Sequence, residues 1–92
     1  MSIAVRFNPT SLTADKYDQT VRQLEEAGAW PAAGLEYHVC FGPDGNLRVS
    51  EIWDSREQFE AFGERLMPVL SEAGIEFSGE PEIFEVHSIT KR

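Results

Sequence analysis

Basic residues are scarce in this chain, cysteine is almost absent, and long apolar runs are missing. The 8 lysines and arginines stand against 16 aspartates and glutamates, for a net charge of -8. A chain so charged repels polyanions, which argues against nucleic acid and against an anionic membrane surface as partners. The lone cysteine, Cys40, excludes an intrachain disulfide framework. No stretch approaches the ~18 consecutive apolar residues of a membrane-spanning helix, and "MSIAVRFNP" contains no signal-peptide core, so a cytoplasmic location is expected. Internal repeats, low-complexity tracts and linkers are missing, as are a P-loop, a dinucleotide fingerprint and a Ser-His-Asp pattern.

What is present is enough for one core. Ninety-two residues with 41% apolar and 26% charged side chains describe a single compact domain over residues 1–92. A fold of this size buries roughly two-thirds of its unfolded surface, and oligomerisation commonly supplements so thin a margin. A homodimer is therefore expected.

Periodicity sets out the elements. "SIAVRFN" alternates Ile3, Val5 and Phe7 with Ala4, Arg6 and Asn8, the period of a strand with one apolar face. "LTADKYDQTVRQLEEAG" follows as a helix capped by Thr13, with Leu12 and Tyr17 placed for a hydrophobic staple, Tyr17, Val21 and Leu24 on its apolar stripe, and Gly28 as its stop. "LEYHVCF" and "LRVSEIW" then alternate around the turn residues "GPDGN" and read as a hairpin. Ser55 and Gln58 form a capping box for a second helix whose stripe runs through Phe59, Phe62, Leu66, Val69 and Leu70 to Gly74. Pro68 predicts a kink or break near Arg65 to Met67. "PEIFEVHSI" closes the chain as a fourth strand.

The order β-α-β-β-α-β, joined by right-handed crossovers, predicts an α+β, ferredoxin-like fold: a four-stranded antiparallel sheet of order 4-1-3-2 with both helices on one face. An apolar bed for those helices would be Ile3, Val5, Phe7, Tyr37, Val39, Phe41, Ile52, Phe84 and Val86. Alternation then sends Arg6, His38, Cys40, Val49, Glu51, Trp53, Ile83, Glu85 and His87 to the uncovered face. That choice requires His38 to oppose Glu51 across the hairpin. A three-residue loop would instead set Glu51 opposite Tyr37 and turn His38 and Arg48 toward the helices, burying ionisable groups without an evident partner.

The uncovered face is either solvated sheet surface or the wall of a space enclosed by a second subunit. Trp53, Val49, Ile83 and Cys40 would form an exposed apolar patch in the first case, which favours the second. His38 opposite Glu51 could serve as a general base oriented by its carboxylate, with Arg6, Cys40, Trp53, Glu85 and His87 lining the pocket. Arg6 could equally pair with Glu51. His38, Glu51 and His87 have the donor types of a two-histidine, one-carboxylate metal centre, but the strands of the two histidines are opposite edges roughly 14 Å apart, so no metal is expected. Trp30 in "GAWPAAG" reads as a lid, a dimer contact or a plug.

The element order, together with Glu51, Trp53, Ser55, Glu57 and Phe59 in "EIWDSREQF", resembles the dimeric α/β-barrel superfamily, in its antibiotic-biosynthesis-monooxygenase branch. There a strand ending Glu-x-Trp/Tyr leads into a helix beginning Ser-x-Glu-x-Phe/Leu. The resemblance implies a homodimer packed sheet to sheet as an α/β barrel, with a pocket in each protomer for a small planar or aromatic ligand. It also implies a possible cofactor-independent oxygenase activity, or a ligand-binding or structural dimer without one. Trp53 matches a pocket tryptophan of the heme-degrading members. Phe62, however, stands where many members carry a helical histidine, so no cofactor is expected.

Overall fold

The computed structural model describes all of residues 1–92. Its elements are β1 (Ile3–Phe7), β2 (Pro9–Thr10), α1 (Ala14–Glu26), β3 (Leu35–Phe41), β4 (Arg48–Trp53), α2 (Arg56–Ala73), β5 (Glu76–Phe77) and β6 (Glu82–Glu85). The main sheet has the order β3-β4-β1-β6 and is antiparallel throughout. This is the ferredoxin-like topology expected from the sequence, with an open sheet whose edges are β3 and β6. No helix is long and apolar enough to cross a membrane.

The helices begin where side chains can satisfy their first N–H groups. The Thr13 hydroxyl accepts from Lys16 N–H at 3.2 Å, and the Asp44 carboxylate, from the β3–β4 loop, accepts from Ala14 N–H at 2.9 Å. Ser55 Oγ accepts from Gln58 N–H at 3.2 Å at the start of α2. Gly74, at φ 72°, ends α2 in the left-handed conformation that a side chain would strain. The break that Pro68 could have caused is absent, and α2 runs continuously from Arg56 to Ala73 through it. Pro68 is exposed, as is Glu64, whose carbonyl loses its partner, so the missing hydrogen bond falls on the wet side of the helix.

A second departure is the two-stranded sheet of β2 and β5, which pairs Pro9 with Phe77 and Thr10 with Glu76. These two-residue strands are too short to carry a period. They join the end of β1 to the chain leaving α2.

The registers decide which side chains meet the helices. Across β1 and β4, Ile3 pairs with Trp53, Val5 with Glu51 and Phe7 with Val49, so each pair shares a face. In the hairpin His38 opposes Glu51 and Cys40 opposes Val49, with residues 42–47 as the connection. Glu36 is the extra residue of a bulge, since Leu35 pairs with Trp53 but Tyr37 with Ile52. The core comprises Ile3, Val5, Leu24, Ala29, Trp53, Phe59 and Phe62. Each fully buried large apolar side chain contributes about 1.5–3 kcal/mol.

The helix-facing set expected from the sequence is thus correct for β1 and inverted for β3, β4 and β6. Tyr37, Val39, Phe41, Ile52 and Phe84 lie on the open face, and Tyr37, Phe41 and Phe84 are strongly exposed there. His38, Cys40, Val49, Glu51, Trp53 and Ile83 face the helices instead. The expectation failed because it treated a carboxylate as unburiable, whereas Glu51 has partners for both oxygens beneath the helices. After β6 the chain turns back across the sheet, where Lys91 Nζ reaches Glu36 Oε1 at 3.2 Å on β3.

Candidate functional site

Between the sheet and the two helices lies a cavity of about 70 Å³. Phe7, Val49, His38 and Glu51 form its sheet wall, Tyr17, Thr20, Val21 and Leu24 come from α1, and Phe62, Leu66 and Leu70 from α2. Trp30, Leu12, Ile75 and the β2–β5 end, through Pro9 and Phe77, complete it. The walls are apolar except at Thr20, Tyr17, His38 and Glu51, and the Thr20 hydroxyl is committed to Lys16 O of its own helix at 2.9 Å.

The remaining three polar side chains form one chain of hydrogen bonds. Glu51 is 4% exposed; its Oε2 lies 2.6 Å from Nδ1 of His38, and its Oε1 accepts from Nε1–H of Trp53 at 3.0 Å. A carboxylate can only accept, so Nδ1 of His38 carries the proton. Nε2 of the neutral ring is then an acceptor, and the Tyr17 hydroxyl lies 2.7 Å from it, placed to donate. The Tyr17 phenol is pushed up from 10.0 to about 12, first by burial and then by nearby Cys40, Glu51 and Asp18, so its proton stays on at neutral pH. The Trp30 and His38 rings meet nearly perpendicular, with centroids 4.8 Å apart.

Each local position follows from the sequence. Alternation along β4 puts Val49, Glu51 and Trp53 on one face, and the hairpin register brings His38 beside Glu51. Tyr17 lies on the apolar stripe of α1 with Val21 and Leu24, so packing that stripe on the sheet brings its hydroxyl to His38.

Of the candidate residues, the structure brings His38, Glu51 and Trp53 together. Trp53 is fully buried behind Glu51, against Phe59 and Phe62, and does not border the cavity. Cys40 is half-buried, its thiol pushed up by burial and by Asp18, and it too lies outside the cavity walls. Arg6 is exposed on the open face, in register with Ser50 and Glu82, and so is not the partner of Glu51. Glu85 and His87 are exposed at and beyond the end of β6. The cavity that His38 and Glu51 border therefore lies within one chain, and these two side chains face the helices and not the uncovered face to which alternation was expected to send them. No cluster of three or more His, Cys, Asp or Glu side chains is placed to hold a metal ion.

Sequence reasoning missed Tyr17 as a site residue, having assigned it to the staple and stripe. The available signal was a phenol in the middle of an otherwise apolar stripe, since a tyrosine packed there needs a partner for its hydroxyl.

The sequence matches no protein-family model and no curated protein. Solved structures do resemble it. A candidate antibiotic biosynthesis monooxygenase from Chloroflexus aurantiacus superposes with a TM-score of 0.60 at 16% identity, over 98% of this chain and 95% of its own. SnoaB, a cofactor-independent oxygenase from Streptomyces nogalater, gives 0.61 at 14% identity, over 99% and 96%. A candidate antibiotic biosynthesis monooxygenase from Deinococcus radiodurans gives 0.56 at 14%, over 100% and 98%. At these identities the likeness establishes a shared fold: this chain has the ferredoxin-like fold of the antibiotic-biosynthesis-monooxygenase domains.

Proposed function

From that shared fold we propose that the chain is a small-molecule enzyme of the antibiotic-biosynthesis-monooxygenase type, a cofactor-independent oxygenase in which His38 is the general base. The observation that carries the proposal is the Glu51–His38 pair, 2.6 Å apart, at the wall of an apolar cavity. The carboxylate fixes the ring's tautomer and compensates the imidazolium that forms when His38 takes a proton. Removing a proton from a phenol or an acidic C–H leaves an electron-rich anion, which can itself reduce molecular oxygen. Aromatic walls at Phe7, Trp30 and Phe62 suit a planar ring. At about 70 Å³ the space is small beside the ~300–1,000 Å³ of drug-sized sites, which favours a one-ring compound unless Leu66 and Leu70 give way.

A homodimer belongs to the same proposal. Tyr37, Phe41 and Phe84 are 56%, 43% and 52% exposed on the open sheet face, an apolar surface suited to a second copy.

A second reading, a binding or structural dimer without a reaction, is favoured by one observation: Tyr17, His38, Glu51 and Trp53 satisfy one another completely. Oxygen uptake with single-ring quinols separates the two. The enzyme reading expects uptake above the spontaneous rate in the wild type and its loss in His38→Gln. Equal uptake by both proteins removes His38 from any mechanism, and quenching of tryptophan fluorescence by the quinol without uptake selects the binding reading.

A further inference from the structure

The chain itself occupies both nitrogens of the His38 ring. Nδ1 is committed to Glu51, and Nε2, the nitrogen left for an outside partner, is covered by the Tyr17 hydroxyl at 2.7 Å. The two ring planes differ by 19° with centroids 5.9 Å apart, so the phenol meets the imidazole edge to edge, close to its plane, where the Nε2 lone pair points. Trp30 closes one flank of the same ring. A compound in the cavity can deliver a proton to Nε2 only by displacing this hydroxyl or by going through it. The backbone that carries Tyr17 is fixed, because its helix is capped in the first turn by Thr13 and by Asp44.

Resting on the reading of His38 as the terminal base, we infer that Tyr17 is a catalytic residue that takes the substrate's proton while passing its own to His38. The substrate's O–H or C–H bond breaks as its proton joins the Tyr17 oxygen. The Tyr17 O–H bond breaks as that proton joins Nε2. The electron pair remains on the substrate, and the products are the substrate anion, an intact phenol and an imidazolium facing Glu51. No oxidant takes part in this step. Both transfers run together, because a free tyrosinate is disfavoured in a site that pushes the phenol up to about 12.

Exchange of C–H protons into D2O, followed by NMR without oxygen, isolates this step. The probe is acetophenone, a flat one-ring carbon acid. The wild type is expected to exchange it faster than buffer, and Tyr17→Phe to bind it unchanged but exchange it about 100-fold more slowly, as His38→Gln also does. If Tyr17→Phe exchanges as fast as the wild type or faster while His38→Gln is slow, Tyr17 merely covers the base and the relay is wrong. A wild type no faster than buffer, or an undiminished His38→Gln, overturns the base and the relay together. Should Tyr17→Phe fail to fold, 3-fluorotyrosine at this position in a Tyr37→Phe background keeps the hydroxyl but makes it more acidic. The relay then shifts the pH–rate profile, and an unshifted profile overturns it.

Discussion

Trp53 and Glu51, two residues apart on one strand, bond to each other beneath the helices: the indole N–H donates to the Glu51 carboxylate at 3.0 Å. Successive same-face positions of a strand bring their side chains close enough for this contact. The tryptophan thereby occupies the oxygen that His38 leaves free, and a carboxylate becomes tolerable in a core that is otherwise apolar.

Removing that carboxylate should be costly. Glu51→Ala strips the acceptor from His38 Nδ1 and Trp53 Nε1 at once, for a loss of about 3–5 kcal/mol in urea-induced unfolding. Glu51→Gln should lose about 1–3 kcal/mol, because its amide still accepts from Trp53 but presents a donor to Nδ1. An unchanged midpoint for both variants would mean that the pair is not buried as described.

Tyr17 links stability to alkaline pH. Its phenol ionises at about 12 in the folded chain and at 10.0 when unperturbed, so between these values the unfolded chain releases a proton that the folded one keeps. The linked stability is complete below pH 10 and is lost as pH rises through 12. Unfolding followed across this window should show a decline that Tyr17→Phe lacks, and absorbance titration should resolve a tyrosine ionising at about 12 that disappears in Tyr17→Phe.

The open sheet face can be tested by charge. Phe84→Glu places a carboxylate on the open face at its β6 edge, where a second copy packed on that face would have to desolvate it. Sedimentation should give twice 10.4 kDa for the wild type and 10.4 kDa for the variant. A wild type sedimenting at 10.4 kDa at high micromolar concentration would remove the homodimer from the proposal.

Pro68→Ala should stabilise the chain. It restores the N–H that the continuous α2 lacks toward Glu64, on the exposed side of the helix, at no expense in packing. The gain should be about 1–2 kcal/mol, the helix preference of alanine over proline less the freedom returned to the unfolded chain. A lower melting temperature in calorimetry would show instead that proline fits α2 better than alanine does.

The sequence alone determined the order of the four main strands and two helices, the caps at Thr13 and Ser55 and the order of the main sheet, because these follow from local period, turn chemistry and chain handedness. It left two hairpin registers open, of which the structure adopts the one that pairs His38 with Glu51, and it did not determine which face of β3, β4 and β6 meets the helices. Alternation divides a strand into two sets but does not say which is buried, and Glu51 made the buried set look like the wet one. Only the tertiary structure decided that, through the β1–β4 register and the partners it supplied to each polar atom of Glu51. The same packing brought Tyr17 from a distant helix to His38. Contacts between elements that the chain joins only in space leave little trace in a single sequence, and this candidate site is built from such contacts.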